Sequence, residues 1–494
     1  MDVNKKIENF IKKVIQIIAI IILVFLFITS IFQTSYMDKT EITQYLPDNP
    51  IIHIVSICLV IGLIYFLRKK DIKVSKKIIC ITVGIWALLT IIWIMLIQLF
   101  PRADQKYILN IANDLKHGIT TGFEEGKYGF CNPHQIGLIL FETMTSFVFG
   151  IKYNFLGIQL LNVLAILVSF FAIYKITKIL FKNRETSIYT IFALFLFIPI
   201  TLYVTFVYGN LFGLATSMLS VLFLLLYLED KKVKNIILSS VCIELAIIFK
   251  SNYLVTMIAI ICMLILSSIS EKRIKTLIPI ALFILVYLFG NLMIDTSIKI
   301  VTQKEKNDGI PMSSYVAMGL QESKRAPGWY NRYNRSVYEK SGYNSKKASD
   351  KIKKDIKQSL EKFRNDPKYA IEFFYKKTIS QWNNPTFQSL WIYKMRKSNN
   401  PNISIVKAIK GEGLLNKLLT FYMNIVQSLI LFGATTYMII DFKNIKYKQL
   451  IFIIIFIGGF LFHIIWEAKG QYTLTYFVLL IPYAVRGFLQ LTNR

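Results

Sequence analysis

The sequence contains few of the residues on which most soluble enzyme classes depend. Its 494 residues include 5 cysteines and 4 histidines. Four of the cysteines lie in apolar runs, and no CxxC, HExxH or paired ligand spacing occurs. There is also no glycine-rich nucleotide loop, no tandem repeat and no Gly/Ser-rich or Pro-rich linker. A soluble nucleotide-binding enzyme, a zinc protein and a secreted disulfide scaffold are therefore disfavoured.

Acidic residues are scarce as well, because 29 Asp and Glu stand against 58 Lys and Arg, a formal charge of +29. On a soluble chain this excess would suggest a nucleic-acid partner. However, 54% of the residues are hydrophobic, only 18% are charged, and the mean hydropathy is +0.49. These values are typical of a polytopic membrane protein, so no nucleic-acid partner is expected and the charges are interpreted by their position relative to the bilayer.

Twelve apolar runs are candidates for membrane-spanning helices, which need about 20 residues because no backbone polar group can stay unpaired in hydrocarbon. They cover residues 14–33, 51–67, 78–99, 154–174, 187–207, 210–228, 235–249, 252–269, 276–297, 416–440, 450–466 and 471–489. The sequence therefore predicts an all-α polytopic membrane protein with about twelve transmembrane helices and outer-face juxtamembrane helices.

Basic residues in the short loops set the predicted orientation, because such loops stay in the cytoplasm. Both termini are expected in the cytoplasm, and two long polar stretches, 100–153 and 298–415, are expected outside. The predicted domains are a transmembrane core carrying the external loop 100–153, an external helical module and the C-terminal transmembrane helices, at 1–300, 301–415 and 416–494.

The external module is strongly basic, since residues 301–415 hold 23 Lys and Arg but only 10 Asp and Glu. Apolar residues recur at helical spacing from Ser345 to Phe363, which predicts a helix there. A cationic outer face suits anionic partners such as lipid headgroups, polyprenyl phosphates and the phosphate-rich polymers of a cell wall. A solvated positive loop without a specific ligand is the alternative.

The first external stretch begins with a candidate catalytic residue, Asp104, beside the cations Arg102 and Lys106. The apolar residues that follow fall on one helical stripe, which predicts an amphipathic helix on the outer membrane surface. Asp104 is either the N-cap of that helix or a carboxylate that takes a proton from an acceptor hydroxyl while cations hold a phosphate.

A polar turn with His134 and Gln135 then leads into a short apolar segment, 136–149. This segment is predicted to be a re-entrant or surface helix, because it is too short for a thirteenth span. His134 either hydrogen-bonds a sugar or phosphate or has a structural role.

Polar residues also lie in the short turns at the outer ends of the spans. Lys250 and Lys469 are near membrane depth, where a charge is costly unless it snorkels or meets an anion, so both are candidates for binding a lipid phosphate. Glu467 and Lys469 are alternatively a local ion pair that shapes the turn. Glu244 lies inside a span without an evident partner and would also fit ion coupling.

In the module, Trp329, Tyr330 and Trp382 stand beside turns and amides. This combination is used for sugar binding and also for anchoring at the membrane interface. Lys377 precedes the second of these motifs and offers a further cation.

Together these features resemble the GT-C superfamily of polytopic glycosyltransferases, in particular the protein O-mannosyltransferase and aminoarabinose transferase type found in Gram-positive cell envelopes. The resemblance rests on the run Arg102-Ala103-Asp104-Gln105-Lys106-Tyr107 with Ala112 and Gly118, which is similar to a family motif in the first large external loop. The Asp-Glu pair of the family is Asp104-Gln105 here, so only Asp104 inherits the role of base. Three spans precede this loop instead of one.

The resemblance implies an enzyme that moves a hexosyl or pentosyl group, with inversion, from a polyprenyl-phosphate donor. No metal-binding cluster of carboxylates lies near Asp104 in the sequence, so a metal-independent enzyme without a cofactor is expected. The acceptor would be an anionic cell-envelope polymer, a lipid or a protein at the outer face of the cell membrane. Asp104 would act as base, and the leaving phosphate would be stabilised by Arg102, Lys250, Lys377 and Lys469. The sugar and acceptor would contact His134, Gln135, Tyr208, Trp329, Tyr330, Trp382, Glu467, Gln471 and Tyr472.

Two other classes of function are also compatible with the sequence. A transporter or flippase of lipid-linked saccharides would also have many spans and a buried acid such as Glu244, although no repeated halves are visible. A polymerase or ligase of envelope polysaccharide would share the donor chemistry. It would change the length of the polymer, whereas the transferase would add a single sugar.

Overall fold

The computed structural model describes residues 3–37, 39–70 and 74–492, which form a helical protein with one small β-hairpin. The first elements are α1 (Val3–Phe32), β1 (Gln33–Met37), β2 (Thr43–Pro47), α2 (Pro50–Lys69) and α3 (Lys76–Ile97). Next are α4 (Asp104–Lys116), α5 (Tyr128–Cys131), α6 (Ile136–Phe181), α7 (Arg184–Leu196), α8 (Ile198–Leu202), α9 (Asn210–Asp230), α10 (Val233–Phe249), α11 (Leu254–Glu271) and α12 (Ile278–Thr302). The last are α13 (Ser313–Gly319), α14 (Tyr333–Lys340), α15 (Ser345–Asn365), α16 (Pro367–Trp382), α17 (Ser389–Met395), α18 (Ser404–Lys410), α19 (Leu414–Ile440), α20 (Ile451–Ile465) and α21 (Leu474–Leu491).

All twelve predicted runs coincide with helices. Within the described ranges, ten helices are long and apolar enough to cross a membrane. The run 187–207 is divided between α7 and α8, which meet at a bend of 53°, and counting that pair as one span gives eleven. The remaining run is α10, whose 17 residues are at the lower end of the length that crosses hydrocarbon. The all-α polytopic class is confirmed, and the side of the membrane on which each loop lies stays a prediction.

The segment 136–149 is helical as predicted, but it is not separate from the fourth predicted span. Both belong to α6, and the chain bends between them at Gly150, where φ is 70° and ψ is 159°. Glycine adopts this conformation readily because it has no Cβ atom. The two halves of α6 can therefore point in different directions without an intervening loop.

The hairpin of β1 and β2 was not predicted. It follows α1 directly, and its register pairs Gln33 with Pro47. Each strand has only five residues, too few for a clear alternating pattern. Contacts with the distant module hold it instead, since Ser35 N donates to Asn383 O at 2.9 Å and the N–H of Thr43 in β2 bonds to the module as well.

The apolar core lies among the membrane helices, where α9 packs against α6 and α10, and α19 packs against α21 and α1. The module between α12 and α19, which is predicted to be external, contains α13 to α18. It has small apolar clusters of its own and includes the predicted helix as α15. It is joined to the end of α20, because Ala468 N donates to Gly328 O at 2.8 Å.

Candidate active site

A cavity of about 1110 Å³ lies between the segment 100–153, the module and the short turns that follow α10 and α20. It is large enough for a substrate bigger than a drug-sized ligand. Eleven of the fourteen residues predicted for the site line it. They are Arg102, Asp104, His134, Gln135, Tyr208, Lys250, Tyr330, Glu467, Lys469, Gln471 and Tyr472.

Lys377, Trp329 and Trp382 lie outside the cavity, which corrects their predicted contact with substrate. Lys377 is 1% exposed, and its Nζ donates to Gly319 O at 2.6 Å and to Ile464 O at 2.8 Å. Burial lowers the pKa of Lys377 to about 7. Its amine therefore joins the module to the end of α20 and has no free face toward a phosphate.

The two tryptophans are core residues. Trp329 is fully buried, and its Nε1 donates to Ser380 Oγ at 2.7 Å. Trp382 is 1% exposed and stacks on Tyr476 of α21, with ring centroids 5.7 Å apart. Both rings fix the module on the membrane helices, so neither is available to a sugar.

Asp104 is the first residue of α4, and its carboxylate is exposed to the cavity. The N-cap is Ala103, and the structure shows no side-chain capping hydrogen bond there, so the interpretation of Asp104 as a cap is wrong. Ala103 has a φ of 51° and a ψ of −130°, a backbone strain that costs about 1–3 kcal/mol. The amphipathic helix itself is confirmed, because Ile108 and Ala112 on its predicted stripe are fully buried.

Tyr208 connects two other groups of the cavity. Its hydroxyl donates to Asp104 Oδ2 at 3.2 Å and accepts from Gln135 Nε2 at 3.2 Å. Burial, and next the Asp104 carboxylate, raise the pKa of Tyr208 well above its ordinary value, so the hydroxyl stays protonated and can donate. The next residue must be glycine: Gly209 has a φ of 75°, and a Cβ atom there would lie 2.2 Å from Phe249 O.

Gln105 and Arg396 fix the backbone around this network. The buried Gln105 Oε1 accepts from Val207 N at 3.1 Å, so the residue that replaces the family's second acid holds the loop of Tyr208. Arg396 is 3% exposed and donates to Phe100 O at 2.7 Å and Thr205 O at 2.8 Å. It ties the segment before α4 to the loop after α8.

Two lysines of the cavity lie just beyond the ends of apolar helices, Lys250 after α10 and Lys469 after α20. Lys250 Nζ is 3.9 Å from the centroid of the Tyr208 ring. Burial, and next the charge of Lys469, lower the pKa of Lys250 to about 7, although Asp104 and Glu467 oppose the shift. Two neighbouring cations in a partly desolvated site favour an anion between them.

The turn 466–472 contains the predicted ion pair. Lys469 Nζ lies 3.4 Å from Glu467 Oε1, and Tyr472 OH donates to the other carboxylate oxygen at 3.3 Å. Burial lowers the pKa of Lys469, but Glu467 with its neighbours raises it above the ordinary value, so Lys469 stays charged. The backbone N–H of Gln471 donates to Gln388 Oε1 at 3.1 Å, which connects this turn to the module.

Aromatic rings line the cavity beside these charges. Tyr315 stacks on Trp466 with centroids 5.4 Å apart, and His134 meets Tyr315 edge-on at 6.3 Å. Lys469 Nζ lies 5.7 Å from the centroid of Tyr330. Such rings with polar edges can contact the faces of a sugar.

The cavity is electropositive. Its charged lining comprises seven cations and four acids: Arg102, Lys250, Arg325, Arg332, Arg335, Arg396 and Lys469 against Glu41, Asp104, Glu339 and Glu467. Sequence reasoning missed the module arginines at 325, 332 and 335. Their clustering around the tryptophan and tyrosine at 329 and 330 is the signal that could have found them. Within the described ranges, no three His, Cys, Asp or Glu side chains lie close enough together to hold a metal ion.

Part of the chain is similar to a known protein family. Residues 139–293 match the family described as dolichyl-phosphate-mannose-protein mannosyltransferase. The predicted resemblance to polytopic membrane glycosyltransferases of the GT-C superfamily is thereby confirmed, on less than half of the chain. No curated protein matches the sequence.

Among solved structures, the chain is similar to the crystal structure of ArnT from Cupriavidus metallidurans bound to undecaprenyl phosphate. The identity is 10% over 84% of this chain and 78% of that one, and the TM-score is 0.33. This similarity is too low to assign roles to individual residues. The roles proposed below therefore rest on the geometry of the cavity alone.

Proposed function

We propose that this protein transfers a hexosyl or pentosyl group from a polyprenyl-phosphate donor to an acceptor at the outer face of the cell membrane. The observation that carries the proposal is that Asp104, Lys250 and Lys469 line one cavity although they belong to three separate segments. A carboxylate and two cations are what glycosyl transfer from a phosphate requires: a base for the acceptor and positive charge for the leaving group.

In the proposed reaction, Asp104 accepts the proton of an acceptor hydroxyl. The acceptor oxygen attacks the anomeric carbon while the bond from that carbon to the phosphate oxygen breaks. The phosphate leaves with the electron pair, and attack from the opposite side inverts the anomeric configuration. Lys250, Lys469 and Arg102 stabilise the charge that develops on the leaving phosphate, and they do so strongly because a partly buried site screens charge less than water does.

A lipid-linked donor suits the position of these cations. Lys250 directly follows α10 and Lys469 lies just beyond α20, so both are close to the ends of membrane helices. A polyprenyl chain held in the bilayer would present its phosphate at this depth. The name of the matching family also contains a sugar linked to a polyprenyl-type phosphate, dolichyl phosphate mannose.

The acceptor is proposed to be an anionic component of the cell envelope, because cations outnumber acids in the cavity. A flippase is the second candidate. Glu244 supports it, because this acid is 6% exposed within α10 and its Oε2 has no hydrogen-bond partner among the described residues. However, Glu244 packs against Gly290 of α12 and does not line the cavity.

Purified protein in liposomes tests the proposal, with radiolabelled polyprenyl-phosphate sugars and a cell-envelope fraction as acceptor. Transfer of label to the acceptor, with release of polyprenyl phosphate, supports a glycosyltransferase. Label that crosses the bilayer while still attached to lipid would instead support a flippase. A polymerase or ligase would be recognised by a change in polymer length, since a transferase adds one sugar per acceptor site.

A further inference from the structure

The cations of the cavity come from two sides. Lys250 and Lys469 lie beside the ends of membrane helices, whereas Arg325, Arg332 and Arg335 belong to the external module. If the proposed function holds, the donor phosphate is a diester with a single negative charge and is held at the membrane side by its lipid. The module arginines then lie beyond what the donor needs.

Two of these three arginines are already paired within the protein. Arg325 forms an ion pair with Glu41 of the hairpin turn and lies over the ring of Tyr330. Arg335 Nε donates to Glu339 Oε1 at 2.6 Å. Their charges are largely neutralised, so neither is the main cation that the module offers to a ligand.

Arg332 is different. It is exposed and lines the cavity, and within the described ranges it has no ion pair and no side-chain hydrogen bond. It precedes α14 as the N-cap residue, with a φ of 70° and a ψ of 4°. This left-handed conformation costs a residue with a Cβ atom about 1–2 kcal/mol, and glycine would avoid the cost. An unpaired cation thus lines the cavity at a position where the backbone conformation would favour glycine.

We infer that Arg332 binds an anionic group of the acceptor, a phosphodiester or a carboxylate, while the donor phosphate occupies the lysines on the membrane side. The inference rests on the proposed glycosyl transfer. A planar guanidinium donates two parallel hydrogen bonds to either type of anion. An acceptor bound in this way would share the cavity with Asp104, which lines it as well.

Binding of defined oligomers to the purified full-length protein tests this inference without requiring sugar transfer. The probes are a fluorescent glycerol-phosphate oligomer, an oligogalacturonate and a neutral maltooligosaccharide of equal length. Arg332→Gln is compared with Lys340→Gln, which removes an exposed cation at the other end of α14, outside the cavity. Arg332→Gly removes the side chain and relieves the left-handed strain, so it separates loss of binding from loss of folding.

Wild type should bind an anionic oligomer, and both Arg332 variants should weaken that binding about tenfold while Lys340→Gln does not. Preference for the glycerol-phosphate oligomer would identify a phosphodiester acceptor, and preference for the galacturonate a carboxylate one. Equal binding by wild type and both Arg332 variants, or equally tight binding of the neutral oligomer, would overturn the inference. Failure of sugar transfer alone would refute the proposed function and leave this binding result unchanged.

Discussion

Replacing Tyr208 by phenylalanine removes one hydroxyl and keeps the ring. The lost hydroxyl donates to Asp104 Oδ2 and accepts from Gln135 Nε2, both at 3.2 Å. The ring that remains still faces Lys250 Nζ at 3.9 Å, so the cation–π contact is retained. The substitution thus removes the hydrogen bond that positions the Asp104 carboxylate and the one from Gln135, and it leaves the ring in place.

The size of the effect on sugar transfer follows from the hydrogen bond to Asp104. Hydrogen bonds to a charged group contribute about 1.5–3 kcal/mol, and the exposed carboxylate and the long distance favour the lower end. We expect kcat/KM for sugar transfer to fall roughly tenfold, since about 1.4 kcal/mol corresponds to one power of ten.

The assay is transfer of radiolabelled sugar from polyprenyl phosphate by purified Tyr208→Phe protein. Tyr153→Phe is the control, because Tyr153 is exposed on α6 and lies outside the cavity. Tyr208→Phe with the same kcat/KM as Tyr153→Phe would refute the idea that this hydroxyl positions Asp104. A loss larger than that of removing the Asp104 carboxylate would also refute it, because the effect of a positioning contact cannot exceed the effect of the group that it positions.

Two further predictions concern the same turns. The pKa of Lys250 is about 7, so its positive charge is lost as pH rises through 7. Above that pH, kcat/KM for the donor should fall up to tenfold per pH unit. A Lys250→Met variant should not show this fall in a pH profile of sugar transfer. Gly209→Ala should lower the free energy of unfolding by more than about 2 kcal/mol, through left-handed strain and a clash with Phe249 O. In thermal unfolding, Gly84→Ala is the control, because a Cβ atom there meets nothing within 4 Å.

Much of the fold could be predicted because membrane helices are defined locally. A run of apolar residues must form a helix in hydrocarbon wherever it lies in the chain, and all twelve runs are helical. The helix after Asp104 was predictable for the same reason, since its apolar stripe has the helical period. The hairpin after α1 was not, because its stability comes from the distant module and not from its own five-residue strands.

The misplaced site residues were polar or aromatic groups whose partners are far away in sequence. Lys377 has the same local features as Lys250 and Lys469, namely a cation beside an apolar segment. Its amine is nevertheless satisfied by the carbonyls of Gly319 and Ile464, 58 and 87 residues away. Only the tertiary structure distinguishes a lysine that is bonded internally from one that faces a cavity.

Gln105 supports the site although the sequence did not predict it as a site residue. As the residue that takes the place of an acid in the family motif, it had no predicted role. Its side chain holds the backbone of Val207, the residue next to Tyr208, and so helps to position the contact to Asp104. Such a role depends on a loop 102 residues away and leaves no local pattern in the sequence.

Sugar transfer by Asp104→Asn is the most direct test of the account, because the proposed chemistry depends on a carboxylate at this position. The matched control is Asp114→Asn, which makes the same change in the last turn of α4, outside the cavity. Loss of a general base predicts a rate about 10²–10⁴-fold lower for Asp104→Asn, with Asp114→Asn close to wild type. Transfer by Asp104→Asn at the wild-type rate would contradict the assignment of Asp104 as the base and, with it, the proposed mechanism.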